Sequence, residues 1–289
     1  MITARLMGGI GNQLFQYAAG FALASRLGVA LQLDRSWFGD RNARAYRLDA
    51  FSITAREATD ETLRLAGIHY PGPLVRGLSR VGLGRLAKIR GYVCEPAFTF
   101  WPGFLELGDG ACLSGYWQSE RYFENVADAV RREFAFRHEP DPENQRTLDA
   151  IRGCEAVAIH VRRGDYATDP RSRKYHGTTP LEYYEAAVRR ILSCTRDPVF
   201  FVFSDDSVWV EKSLRVPAPT VFLHNGVTRD YEDLRLMSAC RHQIIANSTF
   251  SWWGAWLADS PGQRVIGPRQ WFRSGPDARD LIPARWERI

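Results

Sequence analysis

Arg162 and Arg163 stand side by side in His160-Val161-Arg162-Arg163-Gly164-Asp165-Tyr166, with a carboxylate two residues beyond the second arginine. A guanidinium is permanently charged, and its planar fork of donors matches the oxygens of a phosphate. Asp165 can then orient a guanidinium or take a proton as a base. The pattern suits a site where phosphate is gripped while chemistry happens beside it. The same residues can also form a plain Arg–Asp ion pair in a loop. Arg163-Gly164-Asp165 spells an adhesion tripeptide too, but the end of a buried strand is a poor adhesive loop.

Asn247-Ser248-Thr249-Phe250-Ser251-Trp252-Trp253 is the second chemically telling segment. Its hydrogen-bonding residues can cap a helix that carries Phe250, Trp253 and Leu257 on one apolar face. Alternatively, the hydroxyls and free N–H groups at that helix start bind a second set of phosphate oxygens. With Arg162 and Arg163 on a neighbouring strand end, the two segments would form a diphosphate clamp.

Gly9-Ile10-Gly11-Asn12-Gln13 invites a dinucleotide reading, but Leu14 replaces the third glycine of that fingerprint. No Gly-Lys-Ser/Thr follows, which excludes a phosphate-binding P-loop. What remains is a set of N–H groups at a helix start, favourable to an anion or a polar ligand. Asn12 either caps that helix or offers its amide to a hydroxyl-rich ligand. Asp205 and Asp206 end another apolar run, yet the chain contains no Asp-x-Asp. They read as a helix-start and ligand-orienting pair rather than a metal site. Asp233 can accept from the amino and imino groups of a base, or simply favour a helix dipole. His176, in a polar loop soon after Asp165, is near enough in sequence to reach the same crevice.

The elements that must position these residues follow from hydrophobic period and turn chemistry. Strands are expected at 3–7 and 29–33 with a helix at 12–26 between them, a βαβ opening. The stretch 36–110, with Pro71-Gly72-Pro73, reads as loops and short helices covering one crevice, and 119–132 as a helix. His138–Glu143, charged and twice broken by proline, is the expected linker. Beyond it strands at 155–161, 199–203, 220–223, 243–246 and 264–266 alternate with helices at 180–193, 230–240 and 250–258. That alternation means a parallel, doubly wound sheet. Two α/β halves joined by a linker, with a crevice between them, is the simplest architecture: residues 1–140 and 141–289.

Composition sets the bounds. At 289 residues, 45% hydrophobic and 25% charged, the chain is ordinary globular material. A net charge of +5 suits an anionic small ligand or an acidic membrane face and is too diffuse to argue for nucleic acid. Five scattered cysteines without a Cys-x-x-Cys pair argue against a disulfide framework and for a reducing compartment. The apolar run 14–24, ending in Ala22-Leu23-Ala24, has the look of a signal peptide, but Gln13 and Gln16 interrupt it. A cytoplasmic protein is expected, at most peripheral to the inner membrane.

Together, Gly8-Gly9-Ile10-Gly11-Asn12-Gln13-Leu14-Phe15-Gln16-Tyr17, the His160–Tyr166 heptapeptide, Phe203–Asp206, Met237–Cys240 and Ile244–Leu257 resemble the α-1,2-fucosyltransferases of glycosyltransferase family 11. Five matches in one order make the likeness specific, although 36–110 carries little of it. The resemblance implies a GT-B-like α/β fold, two Rossmann-like domains facing a central cleft, with 1–140 on the acceptor side and 141–289 binding the GDP-sugar. It implies GDP-fucose as donor, a galactose-containing glycan as acceptor, inversion at the anomeric carbon, and neither cofactor nor metal. Carried onto this chain, Arg162 would contact the β-phosphate, with Arg163 supporting the crevice. His160 and Asp233 would lie near guanine; Asp205, Asn247, Ser248, Thr249 and Ser251 would line the donor site. Gly9, Gly11, Asn12 and Gln13 would form a loop towards fucose or acceptor. For the base, Asp165 comes first and His176 second. In related fucosyltransferases of other families a glutamate follows the arginine motif; here Ala167-Thr168-Asp169-Pro170 stands there, and that role is not carried over.

Overall fold

A short apolar segment opens the chain as a strand, Ile2–Arg5 (β1), and a helix, Ile10–Leu27 (α1), returns it to a parallel partner, Leu31–Asp34 (β2). The computed structural model describes residues 1–38, 44–59, 61, 63 and 91–289. The chain divides into two compact units, Met1–Arg137 with Arg279–Leu281, and His138–Ala278 with Ile282–Ile289.

In the first unit the glycine requirement falls on Gly8, whose φ of +78° is left-handed, while Gly9 caps α1 in extended conformation. A Cβ on Gly8 would lie 2.5 Å from Asn12 Nδ2, so the turn also clears space for that amide. At its other end α1 closes on Gly28, with the Val29 N–H returning to the Ala24 carbonyl. The apolar run 14–24 is buried core: Gly20 brings α1 so close that a Cβ there would meet Ala4 Cβ at 2.9 Å and Leu31 Cδ1 at 3.0 Å.

Three further strands complete this sheet: Arg56–Glu57 (β3), Tyr92–Cys94 (β4) and Cys112–Ser114 (β5), in the all-parallel order β3-β2-β1-β5-β4. The sequence reading missed them, because two or three residues are too few to show a period. Its reading at 71–73 lies outside the described residues. The single helix expected over 119–132 is instead two 3₁₀ turns, Glu120–Tyr122 and Glu124–Val126, before Ala127–Glu133 (α2). Burial of both Tyr122 and Phe123 bends the chain there, since consecutive side chains cannot share one helical face.

The second unit begins where a linker was expected. Asp141 accepts from the N–H groups of Glu143 and Asn144, and Pro142 opens a helix, Pro142–Arg152 (α3). The proline is a helix starter, not a breaker. Then come Glu155–Val161 (β6), the short helices Gly164–Thr168 (α4) and Pro170–Tyr175 (α5), Leu181–Leu192 (α6), Pro198–Ser204 (β7), Ser207–Ser213 (α7) and Thr220–Leu223 (β8). Asp230–Ala239 (α8), His242–Ile244 (β9), Thr249–Ala258 (α9), Val265–Gly267 (β10) and Glu287–Arg288 (β11) finish the unit. The parallel order is β11-β10-β9-β6-β7-β8. Val157, Ile159 and Val161 pack with Tyr184 and Val188 of α6, while Ala156 and Ala158 pack with Leu236 and Met237 of α8. Helices on both faces explain why β6 reads as one apolar run.

Each unit is thus a Rossmann-like parallel sheet with a topological switch point. In the second, the chain builds outward through β7 and β8, then crosses back to β9, so the switch lies between β6 and β9. In the first it lies between β1 and β5. Ligands of open α/β sheets bind beyond the carboxyl ends of the strands at such points.

Candidate active site

Arg162 leaves the carboxyl end of β6 and meets two carboxylates. Nη1 lies 2.8 Å from Asp205 Oδ2, at the end of β7, and Nη2 donates to Asp165 Oδ1 at 2.5 Å. Asp205 also accepts the Arg163 backbone N–H at 2.7 Å, so both of its oxygens hold this one turn. Gly164 permits this: a Cβ there would sit 2.4 Å from Asp205 Oδ2. Burial by itself would lower the guanidinium's pKa, but Asp205 and Asp165 outweigh it and the net shift is upward. The two pairs use two of the guanidinium's five N–H donors.

The neighbouring arginine is held differently. Arg163 Nε reaches Asp206 Oδ2 at 3.3 Å, and the guanidinium stacks 3.7 Å over the Trp209 ring. Asp206 caps α7 through the Trp209 N–H. Arg163 is therefore held by Asp206 and Trp209 within its own unit. Asp205 and Asp206 are thus each engaged by an arginine of this turn.

Beside Arg162 is an aromatic column. Its guanidinium lies 5.2 Å from the centre of the Tyr166 ring, and His176 stacks face to face on Tyr166 at 4.4 Å. Tyr175 and Phe272 also contact the imidazole. Burial depresses the His176 pKa, although Asp165 pulls the other way. His160, one strand position before Val161, lies on the α8 side of β6 with its ring 5.2 Å from Phe250. Burial pushes its pKa down to about 4, leaving it neutral, and its buried Nδ1 has no hydrogen-bond partner among the described residues. Asp233, in the first turn of α8, is buried and accepts at Oδ1 from the N–H and side-chain amide of Asn225. Desolvation raises its pKa.

At the switch point the α9 start divides the expected donor residues. Ser248 is the residue before the first turn but makes no side-chain cap, and Thr249 follows it. Two neighbours make hydrogen bonds within the fold. Asn247 donates to the carbonyls of His176, Gly177 and Trp271, and accepts from Thr179, which pins the His176 loop to β9. Ser251 is fully buried and donates to the carbonyls of Ser248 and Ala246.

In the first unit the amide of Asn12 is not a cap. Its Oδ1 accepts from Gln118 Nε2 at 2.9 Å, joining the α1 start to the segment after β5. Gln13 is completely buried; it donates to the carbonyls of Gly8 and Ala45 and accepts from the Arg47 backbone N–H. Gly11 is buried inside the helix, whereas Gly9 has nothing within 4 Å of where a Cβ would stand.

Sequence reasoning missed one carboxylate altogether. Glu95 follows β4, and its two oxygens accept the backbone N–H groups of Tyr116 (2.7 Å) and Trp117 (3.0 Å) beyond β5. The partners are distant in the chain and the segment carries no motif, so nothing local marks it.

Strand-end geometry of this kind in two Rossmann-like units defines a GT-B-type glycosyltransferase. The chain belongs to glycosyltransferase family 11, whose family model matches residues 110–274. It is 34% identical to the O-antigen biosynthesis glycosyltransferase WbnK of Escherichia coli, over 97% of this chain and 98% of that protein. It is 32% identical to an alpha-1,2-colitosyltransferase of Escherichia coli, over 100% and 99% of the two chains. Among solved structures, NodZ alpha-1,6-fucosyltransferase soaked with GDP-fucose aligns with a TM-score of 0.52, covering 93% of this chain and 94% of that one. At 16% identity that likeness concerns the fold.

Proposed function

We propose that this chain moves L-fucose from GDP-β-L-fucose to the 2-hydroxyl of a terminal galactoside, with inversion at the anomeric carbon and without a metal. One observation carries the reading: Arg162, bracketed by Asp205 and Asp165, stands at the switch point beside an uncapped helix start. A diphosphate leaving group needs positive charge fixed in advance where its own charge develops. Arg162 supplies that charge, and Ser248, Thr249 and the α9 N–H groups take further oxygens. Asp165 and Asp205 orient the guanidinium. Asp233 accepts from the amino and imino groups of guanine, and His160 lies on the same face of the sheet. Asn12 and Gln118 serve the sugar or the acceptor as neutral amides.

Similarity to a protein named for O-antigen biosynthesis supports a cell-surface glycan as acceptor. No helix among the described residues is long and apolar enough to cross a membrane, and we place the reaction in the cytoplasm, with the chain at most peripheral to the inner membrane. A second reading, a colitosyl donor, draws on the colitosyltransferase relative.

The test is incubation with GDP-fucose and a panel of galactosides in the presence of EDTA. Fucosylated product with stoichiometric GDP is expected. Turnover only with the colitosyl nucleotide favours the second reading, and strict dependence on added metal overturns the metal-free one.

A further inference from the structure

One side chain ties the loop after α5 to the connection between β9 and α9. Asn247 is 3% exposed, and its Nδ2 faces three carbonyls, those of His176 and Gly177 at 3.2 Å and that of Trp271 at 3.1 Å. Its Oδ1 accepts from the Thr179 hydroxyl at 3.0 Å. The amide therefore spends both N–H donors inside the fold. The loop it holds is shaped for that grip. Gly177 sits at φ +68°, and a Cβ there would lie 3.2 Å from Arg273 Cβ. The Arg273 N–H in turn donates to the Tyr175 and His176 carbonyls at 3.0 and 3.2 Å.

That loop presents the imidazole of His176. The ring lies parallel to Tyr166, with 4° between the planes and 4.4 Å between centroids, and Tyr175 and Phe272 stand at 4.8 and 5.5 Å. Tyr166 in turn carries the Arg162 guanidinium 5.2 Å from its ring centre, within cation–π reach. Every residue of this column belongs to the second unit. Asp205 and Asp165 hold the guanidinium through its charge, and the column holds it through an aromatic face.

We propose that Asn247 is a positioning residue for sugar transfer: it sets the His176 loop so that the His176–Tyr166 stack holds Arg162 in place for the leaving diphosphate; this rests on the transferase reading above. Asn247 itself touches no substrate and acts through two rings. Small displacements of a group that meets developing charge cost more in rate than in ground-state binding. Loss of the amide should therefore slow transfer while leaving GDP binding almost intact. A direct hold on the donor would do the reverse and weaken GDP binding.

The test measures GDP affinity by calorimetry, and kcat and KM for the nucleotide sugar, in Asn247→Ala, Tyr166→Ala and the double variant. The nucleotide sugar is whichever of the fucosyl and colitosyl donors the wild-type chain turns over. Asn247→Ala should lower kcat by about 10- to 100-fold, with GDP affinity within about threefold of wild type. The double variant should be no slower than Tyr166→Ala, because the ring through which the amide acts is already gone. In NMR spectra the His176 ring protons, shifted by the Tyr166 ring, should move in Asn247→Ala. Additive losses of rate overturn the proposal, as do unmoved His176 signals or a kcat within about threefold of wild type in Asn247→Ala. A loss of GDP affinity that persists in the Tyr166→Ala background means direct donor contact and overturns it too. If Asn247→Ala does not fold, Gly177→Ala decides, since it strains the same loop: slower transfer with GDP affinity kept supports the proposal, and an unchanged rate overturns it. A wild-type chain that turns over neither donor overturns the transferase reading itself, and this proposal with it.

Discussion

The two sheets end alike and treat charge in opposite ways. At the carboxyl edge of β6 and β7, Arg162, Arg163, Asp165, Asp205 and Asp206 are cross-linked into one network. At the edge of β1, β4 and β5 stand two neutral amides, Asn12 and Gln118, and one carboxylate with no ion pair among the described residues. The switch point supplies the position in both units; the side chains supply the chemistry. A departing diphosphate needs cations fixed in advance. A neutral amide pair and a desolvated carboxylate suit an uncharged, hydroxyl-rich ligand instead.

The largest effect should come from removing the charge that defines the second edge. Arg162→Ala is expected to leave a folded protein whose transfer rate is lower by about 10³-fold. Near-normal turnover would dissolve the contrast between the edges. Next is the bracket. Asp205→Asn removes one of the two counter-charges, and Gly164→Ala drives a methyl group into the Asp205 carboxylate. Both should misplace Arg162 and slow transfer by about 10- to 100-fold, with Arg163 still anchored by Asp206. If only one of the pair slows, Asp205 is not acting through Arg162.

A smaller effect is expected at Asp233. Asp233→Asn should weaken GDP binding by about tenfold, as for one lost charged hydrogen bond, and should erase the preference for GDP over IDP, which lacks the exocyclic amino group. Calorimetry with both nucleotides checks this, and a retained preference removes Asp233 from the base pocket.

The smallest effect separates the edges by pH. Burial raises the Glu95 carboxyl to about 7 in the folded chain, so its contribution to stability is full below the unfolded value and is lost as pH rises through about 7. Glu95→Gln does not titrate there. Its melting temperature should therefore gain on the wild type by a few degrees between pH 5 and pH 8. A constant difference across that range would place the carboxyl in water rather than in a desolvated turn.

Legibility followed length and locality. β6, β7 and α9 were readable because seven- to ten-residue apolar patterns announce their burial. β3, β4 and β11 have two or three residues each and announce nothing. α3 was lost to a proline taken as punctuation. Within the site, Arg162 and Ser248 could be singled out from their places after strands. Asn247, Ser251 and Gln13 stood in the same motifs, and the structure gives them to backbone carbonyls.

The sequence by itself determined the class of chemistry. A guanidinium after a buried strand and a polar helix start after its neighbour depend only on residue type and local period. Tertiary structure alone decided which polar groups remain open to a ligand. Asn247 is occupied because the carbonyls of His176 and Trp271 arrive from elsewhere in the chain. Glu95 is desolvated and without an ion pair among the described residues because the segment after β5 folds over it. A side chain carries its own donors and acceptors, but whether they are satisfied, and in what dielectric, is set by distant segments that only the fold brings near.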